Sequence, residues 1–334
     1  MLRSPPAYGE PVAIADDIFW LRVRLPFALD HVNLWLCSDH DGWTVIDTGY
    51  GDAPTRTMWQ ELRGRLLAGR PVRRVLVTHF HPDHVGQAGW LCEATGAELW
   101  MSRTEWLTGR MLALDATESA VAETERCYRQ AGMPDEAIVR QRSRGNTYRR
   151  GVGELPPAFV RLRAGDRIAL AGSTFEVLIG EGHAPEQVTL YCEERRLLIA
   201  ADQILPRISP VIGVWPSQPD ADPLADYLGS LEQYRQLPED TEVLPSHGLP
   251  FQGLHHRLEE LVAHHEERLE ATLAACRHPT TAAGVLETLF PRALDAHQTG
   301  FALAETLAHL NYLLGQGMLR RWPGPNGVLL YRSH

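Results

Sequence analysis

The stretch HFHPDH, residues 79–84, places His79, His81, Asp83 and His84 within six positions, directly after the apolar run VLVT. Neutral imidazoles and carboxylates are ligands for zinc, iron or manganese. On an extended backbone His79 and His81 alternate by two and can point the same way. Asp83 and His84, one step further into a turn, can reach a neighbouring ion. Three more donors share a single context: His183 closes FEVLIGEGH, Asp202 closes RLLIAAD and His247 closes TEVLPSH. A lone HxH is commonplace in a chain with 15 histidines, but four separate strand-like runs each delivering His or Asp are hard to attribute to packing. Seven donors exceed what one tetrahedral ion uses, so two ions sharing a bridging carboxylate fit the count. Held about 3.5–4 Å apart, two such ions can share a hydroxide and stabilise a developing oxyanion. The chemistry expected is hydrolysis.

Strands have to deliver these donors, because in α/β sheets the C-terminal strand ends gather on one edge, where ligands bind. The segments DDIFWLRVRL and VNLWLCSDHDGWTVIDTG read as β-rich, the second split by the hairpin turn SDHDG. TRTMWQELRGRLLAG has helical spacing with a glycine stop, and RRVLVTH is a strand ending at His79. GQAGWLCEATGA reads as a helix and AELWMS as a strand, and residues 103–150 as a mostly helical insert. Strands resume in TFEVLIGEGH, QVTLYCEERRLLIAAD and DTEVLPSH. Strands mixed with helices over about 250 residues predict a layered α/β domain, expected over 1–252. From 253 to 334 the pattern changes to an amphipathic helix, two further helices and the hairpin-like MLRRWPGPNGVLLYR, a winged-helix-like arrangement.

Bulk composition frames the function classes. A chain of 334 residues with 44% hydrophobic and 22% charged residues is an ordinary globular protein. Its formal net charge of −10 argues against a general binder of nucleic acid or anionic membrane. Every basic residue is arginine. The five cysteines are scattered with no CxxC pair, and the first residues have no apolar leader-like run. Cytoplasmic location and no membrane span are expected.

The order IDTG, HxHxDH, GH, AAD, SHG resembles the metallo-β-lactamase superfamily, over roughly residues 15–250. The resemblance implies an αββα sandwich and two divalent metal ions, zinc first, with iron or manganese as alternatives. It implies that His79, His81 and His183 hold the first ion, that Asp83, His84 and His247 hold the second, and that Asp202 bridges them. Asp83 would also orient the bridging hydroxide and relay a proton, and Asp47, in VIDTG, would orient a ligand from the second layer. GHAPEQ and the C-terminal module look like the branch that includes β-lactamase-like endoribonucleases and uncharacterised bacterial hydrolases. His81 stands where flavo-diiron oxidoreductases carry glutamate. The short gap from His183 to Asp202 leaves no room for the insert of the RNA-processing exonucleases. The extra module argues against a dedicated periplasmic β-lactamase.

Further features carry weaker expectations. Arg140, Arg142, Arg144, Arg149, Arg150, Arg161 and Arg163 lie close in sequence, opposed only by Glu154, and read as a solvated arm or as a phosphate-binding patch. Trp106, Leu107, Met111 and Leu114, and the apolar loop ILPRISPVIGVWP, read as core or as a roof over the metals. His255–His256 and His264–His265 read as exposed surface, and Asn33 as a strand-edge or site-lining residue. Residues 296–317 contain no arginine or lysine, so the tail is expected not to read DNA. A small-molecule substrate with an apolar acyl and an anionic part is expected, with a homodimer possible. Thioester, ester or lactone hydrolysis is favoured over phosphodiester cleavage by an endoribonuclease-like enzyme. A persulfide-dioxygenase-like iron oxidoreductase comes third.

Overall fold

In the computed structural model, which describes residues 4–334, strands β1 (Val12–Ala15), β2 (Ile18–Arg24), β3 (His31–Asp39), β4 (Gly42–Ile46), β5 (Val72–Leu76), β6 (Glu98–Ser102) and β7 (Val160–Leu162) form one sheet in chain order. The first four strands pair antiparallel and the rest parallel. The second sheet has the order β12-β11-β10-β9-β8, from β8 (Arg167–Leu170), β9 (Ser173–Gly180), β10 (Gln187–Cys192), β11 (Leu197–Ala201) and β12 (Glu242–Pro245). SDHDG makes the expected tight hairpin, with Asp39 pairing Gly42. The short strands β1, β7 and β8 had no sequence expectation, since four residues or fewer hardly establish an alternation.

Alternation along the strands divides the interior into layers. Ile18, Trp20, Trp35 and Cys37 point between the sheets and meet Phe175, Val177, Leu190 and Ile199. The opposite faces of β2 and β3, with Leu21, Val23, Leu34 and Leu36, pack on Trp59 and Leu62 of α1 (Ala53–Gly64) and on Leu91. Helix α2 (Pro82–Val85) is one turn long, and Leu91 belongs to α3 (Ala88–Thr95). The insert between β6 and β7 holds α4 (Arg103–Leu114), α5 (Glu118–Gln130), α6 (Asp135–Arg144) and α7 (Tyr148–Gly151). The outer face of the second sheet is covered by α8 (Pro223–Arg235) and by the start of α9 (Leu254–Ala275). The result is the four-layered αββα arrangement.

The tail adds α10 (Ala282–Leu289), α11 (Ala296–Gly315) and a hairpin of β13 (Leu319–Pro323) and β14 (Leu329–Ser333). Helix α11 opens with a capping box from Asp295 and Gln298. Helix α9 belongs to two cores. Leu254, Leu258 and Leu261 lie under the second sheet, while Leu273 packs with the tail. Among the described residues no helix is long and apolar enough to cross a membrane, and the five cysteines are unpaired.

Candidate metal centre

All the donors singled out in the sequence lie within three residues of strand C-terminal ends or in the turn that follows. His79 follows β5 in the first sheet, and His183, Asp202 and His247 follow β9, β11 and β12 in the second. One edge of the sandwich thus collects donors from both sheets, and Val188 N–H to Thr78 O, at 2.9 Å, ties the sheets there. His81 keeps extended backbone as the N-cap of α2, Pro82 pre-sets the first helical position, and Asp83 and His84 occupy the turn. Gly86 lets this turn approach other backbone, since a Cβ there would lie 2.3 Å from Gly51 N. Gly182, at φ +92°, turns the chain into His183 while packed against Pro223 and Tyr227.

The donor atoms form two groups. His79, His81, His183 and Asp202 make one, and Asp83, His84 and His247 the other, with atoms of each group within 4.8 Å of one another. In the first, His79 Nε2 lies 3.1 Å from His81 Nδ1 and 4.0 Å from Asp202 Oδ2, and His183 Nε2 lies 3.4 Å from that oxygen. In the second, Asp83 Oδ2 lies 3.7 Å from His84 Nε2 and 3.5 Å from His247 Nε2. The other oxygen of Asp202, Oδ1, is 3.5 Å from His84 Nε2 and 3.4 Å from His247 Nε2. Ligands at 2.0–2.1 Å around a tetrahedral ion are separated by about 3.4 Å, so both groups have the spacing of a coordination shell. His84 Nε2, His183 Nε2 and Asp202 Oδ1 are buried without a hydrogen-bond partner. Orphaned nitrogens and an orphaned oxygen converging on common points are what a cation would satisfy. The donors therefore fit two divalent ions with Asp202 between them.

Electrostatics differ between the two groups. Burial, reinforced by neighbouring imidazoles, pushes His79 and His81 well below the usual histidine range, so both are neutral, as a metal ligand must be. His84 is the opposite case: burial opposes its charge, but Asp202, Asp47 and Asp83 outweigh it and hold it well above that range. Burial likewise opposes the Asp202 carboxylate, and His247 and His84 overcome it, keeping Asp202 ionised.

Each histidine that presents Nε2 is oriented through its other nitrogen. His183 Nδ1–H donates to Val211 O at 2.8 Å, and His247 Nδ1–H donates to His31 O at 2.7 Å. Asp47 Oδ2 accepts from His84 Nδ1–H at 2.8 Å, and Asp47 also receives the Thr78 N–H and hydroxyl. With its proton committed to Asp47, the Thr78 oxygen accepts from His79 Nδ1–H at 3.0 Å. Asp47 thus joins both groups from behind. It and Ala201, which precedes Asp202, sit at φ +62° and +48°, a strained backbone that costs of order 1–3 kcal/mol each and recurs at functional sites.

Two supports escaped sequence reasoning. Fully buried Glu105, on α4, accepts from Phe80 N–H at 2.9 Å and from Glu186 N–H at 2.6 Å. Phe80 lies between His79 and His81, and Glu186 follows His183 in GHAPEQ, so one carboxyl clamps both ligand loops. Glu186 in turn accepts from Thr104 N–H at 2.8 Å. His31 holds His247 through its carbonyl and accepts Gly248 N–H at its Nε2. A glutamate on a helix and a backbone carbonyl leave no pattern to find. Asn33 is buried rather than lining the site. It donates to Pro245 O and Gly248 O and accepts from Trp20 Nε1–H, fastening β3 to β12 and the turn that carries His247.

Other expectations need correction. The arginines do not form one patch: Arg142 pairs with Glu118 and Glu125, and Arg161 faces Glu186 at 3.6 Å. Among the described residues Arg140, Arg144, Arg149, Arg150 and Arg163 make no ion pair. Of the histidine pairs only His256 is exposed. His265 is buried against His309, His264 reaches Ser209 at 3.1 Å and His255 reaches Leu237 O at 2.7 Å. In the insert, Trp106 stacks on Phe159 while Leu107, Met111 and Leu114 face solvent. In the loop after Asp202, Ile212 and Val214 are core, whereas Ile208 and Trp215 are exposed.

Comparison with known proteins gives a consistent match. A family model described as the metallo-beta-lactamase superfamily matches residues 28–247, and one described as the metallo-beta-lactamase-like C-terminal domain matches 269–334. The crystal structure of a beta-lactamase domain protein from Burkholderia ambifaria is 42% identical with a TM-score of 0.92, covering 99% of this chain and 96% of that one. A metallo-beta-lactamase family protein from Thermus thermophilus is 32% identical with a TM-score of 0.81, covering 96% and 100%. The acyl-coenzyme A thioesterase MBLAC2 of Homo sapiens is 24% identical over 245 residues, 70% of this chain and 79% of that protein.

Proposed function

The chain belongs to the metallo-β-lactamase superfamily, and from that premise we propose that it is a two-metal hydrolase of carboxyl derivatives, with acyl thioesters as its preferred class. The observation that carries this reading is the Asp202 carboxylate, whose two oxygens face two separate donor groups. Divalent ions held there would supply a water of lowered pKa as nucleophile and an electrophile for the substrate oxygen. Zinc suits the donor set of five imidazoles and two carboxylates, and iron or manganese can also use it. Asp83 and His81 are the donors left partly open to solvent. Asp83 is therefore the carboxylate placed to orient the attacking water and hand its proton onward. Asp47 and Thr78 keep the imidazoles in the tautomer that leaves their inward nitrogens free.

The carboxyl preference draws on the resemblance to a thioesterase and on the exposed aromatic Trp215 beyond Val211, the residue that anchors His183. Phosphodiesters are the second reading, since metal ligands alone do not select between carbonyl and phosphorus. We read the tail, three helices and a hairpin, as a winged-helix-like support of the domain rather than a DNA reader, and the unpaired cysteines fit a reducing cytoplasm. The test is a parallel screen of acyl-coenzyme A esters, lactones, bis-p-nitrophenyl phosphate and single-stranded RNA, with metal content and oxygen uptake measured on the same preparation. Thioester turnover abolished by chelation and restored by zinc is expected. Turnover of phosphodiesters alone, or oxygen uptake without hydrolysis, refutes the proposal.

A further inference from the structure

Five aromatic rings from three distant parts of the chain touch in series. Tyr50 meets Phe27 edge-on at 5.1 Å between centroids, and Phe27 stacks on His297 at 5.5 Å. His297 then meets Phe301 at 4.8 Å, and Phe301 meets Trp215 at 5.8 Å. Phe27 stands in the turn between β2 and β3, His297 and Phe301 on the first turns of α11, and Trp215 in the loop after β11. Phe27 and Trp215 are 39% and 37% exposed, whereas rings that merely filled a core would be covered.

Both ends of this arc are tied through the backbone to segments that carry metal donors. Tyr50 follows Asp47 by three residues, and its carbonyl accepts from Gln87, just past α2. Its ring lies against Gly151, where a Cβ would come within 2.2 Å of it. Burial raises the Tyr50 hydroxyl above its ordinary value, with the Asp52 carboxylate adding to the rise. At the other end, Val211 O orients His183, and Val214 N–H bonds Ala304 O at 3.0 Å, locking the loop to α11. The arc therefore runs from the turn that Gln87 ties to the end of α2 to the loop that orients His183, by way of the tail. Partial burial and the Arg144 guanidinium lower His297 from the usual histidine range, against the pull of Asp295. Arg150 donates to the backbone carbonyl of Arg144 at 2.9 Å, which ties its guanidinium to the end of α6. Among the described residues neither has a carboxylate partner.

We propose that this arc, completed by the C-terminal domain, is the subsite for the apolar acyl group of the substrate, and that Arg144 and Arg150 take an anionic group on the same molecule. The inference rests on the carboxyl-hydrolase reading and deepens it. It gives the tail a role in specificity that its lack of basic residues on α11 left open. An unpaired guanidinium is a strong receptor for phosphate or carboxylate, and contiguous rings favour long or flat acyl groups over small ones.

Two ratios test it on the zinc-loaded enzyme. The first is kcat/KM for decanoyl-coenzyme A over acetyl-coenzyme A. The second is kcat/KM for decanoyl-coenzyme A over the uncharged decanoyl thioester of N-acetylcysteamine. Phe301→Ala should lower the first about tenfold, the scale of losing a hydrophobic contact with the acyl chain. Phe27→Ala, in an exposed turn, should do the same should the α11 variant fold poorly. Arg144→Ala with Arg150→Ala should lower the second ratio about tenfold. If wild type hydrolyses these thioesters and the variants leave both ratios within twofold, the arc assignment is wrong while the hydrolase reading stands. If wild type hydrolyses none of them, the thioester preference fails. The arc is then judged by the Kd of decanoyl-coenzyme A in calorimetry: a tenfold rise in the variants supports the subsite, and an unchanged Kd or no binding refutes it.

Discussion

Replacing Glu105 by glutamine should change how stability depends on pH, in a direction set by where the carboxyl lies. Burial pushes Glu105 from 4.5 up to about 8, against two backbone N–H bonds that favour its charged form, with Glu186 adding to the rise. A carboxyl raised on folding is stabilising when protonated, and its ionisation costs the folded state progressively above the unfolded value. The native protein therefore loses stability as pH climbs from about 4.5 to 8 and no more beyond. Taking those two values, the cost is about 2 kcal/mol at pH 6 and nearly 5 kcal/mol at pH 9, so this group alone removes about 2.5 kcal/mol across that interval. Glutamine cannot ionise. It keeps one acceptor for the two N–H groups, an offset of roughly 1–2 kcal/mol that does not vary with pH. The assay is urea unfolding followed by tryptophan fluorescence on chelator-stripped wild type and Glu105→Gln, at steps from pH 6 to 9. Every other titrating group is common to both proteins, so the difference isolates this one. The variant should gain on wild type by about 2.5 kcal/mol from the acid to the alkaline end. Parallel curves would show that the two N–H bonds already hold Glu105 ionised near its ordinary value, and would refute the reasoning.

Asp202→Asn should bind less than two equivalents of zinc and lose at least a hundredfold in kcat, because one ligand serves both groups; full occupancy in elemental analysis would contradict this. Asp47→Asn leaves the ligands in place but weakens the support of His84 and Thr78, so zinc affinity in equilibrium dialysis should fall about 10–100-fold. His265 and His309 are pushed down by burial to about 3 and about 4. Lowered imidazoles stabilise the fold above pH 6.5 and lose that contribution as pH falls, by about 2 kcal/mol each at pH 5. A His265→Leu/His309→Leu variant should show a shallower acid slope in unfolding midpoints between pH 7 and 5. Helix α11 buries nine of its 20 residues, including Leu303, Leu310 and Leu313, so a mobility-shift assay at physiological salt should find no nanomolar DNA binding.

The seven donors were legible because each follows a strand-like apolar run, and strand period together with sheet-edge geometry says where such residues meet. What orients them was not. Val211 and His31 act through carbonyls, which any residue possesses, and Glu105 reaches the ligand loops from a helix with no distinguishing spacing. The layered fold was readable from the β-rich runs that became β2, β3 and β10, but β1, β7 and β8 are too short to show such a run. His265 was a missed signal rather than a hidden one. It continues the series Leu254, Leu258, Leu261 at helical spacing, and that series is buried, but the surrounding glutamates and arginines drew attention to the other face. The pairing of Arg142 and Arg161 was hidden for the opposite reason, since Glu118, Glu125 and Glu186 lie elsewhere in the sequence.

Helix α9 bears on how the molecule can be divided. Its first three turns roof the sheet that carries His183, Asp202 and His247, while its last turns belong to the tail. A protein cut at residue 252 would keep every metal donor yet strip Leu254, Leu258 and Leu261 from above β11 and β12. The bare sheet face would then be a surface for self-association. A joint for swapping or removing the tail is better sought after Cys276, beyond the helix, than at the change of sequence character where the helix begins.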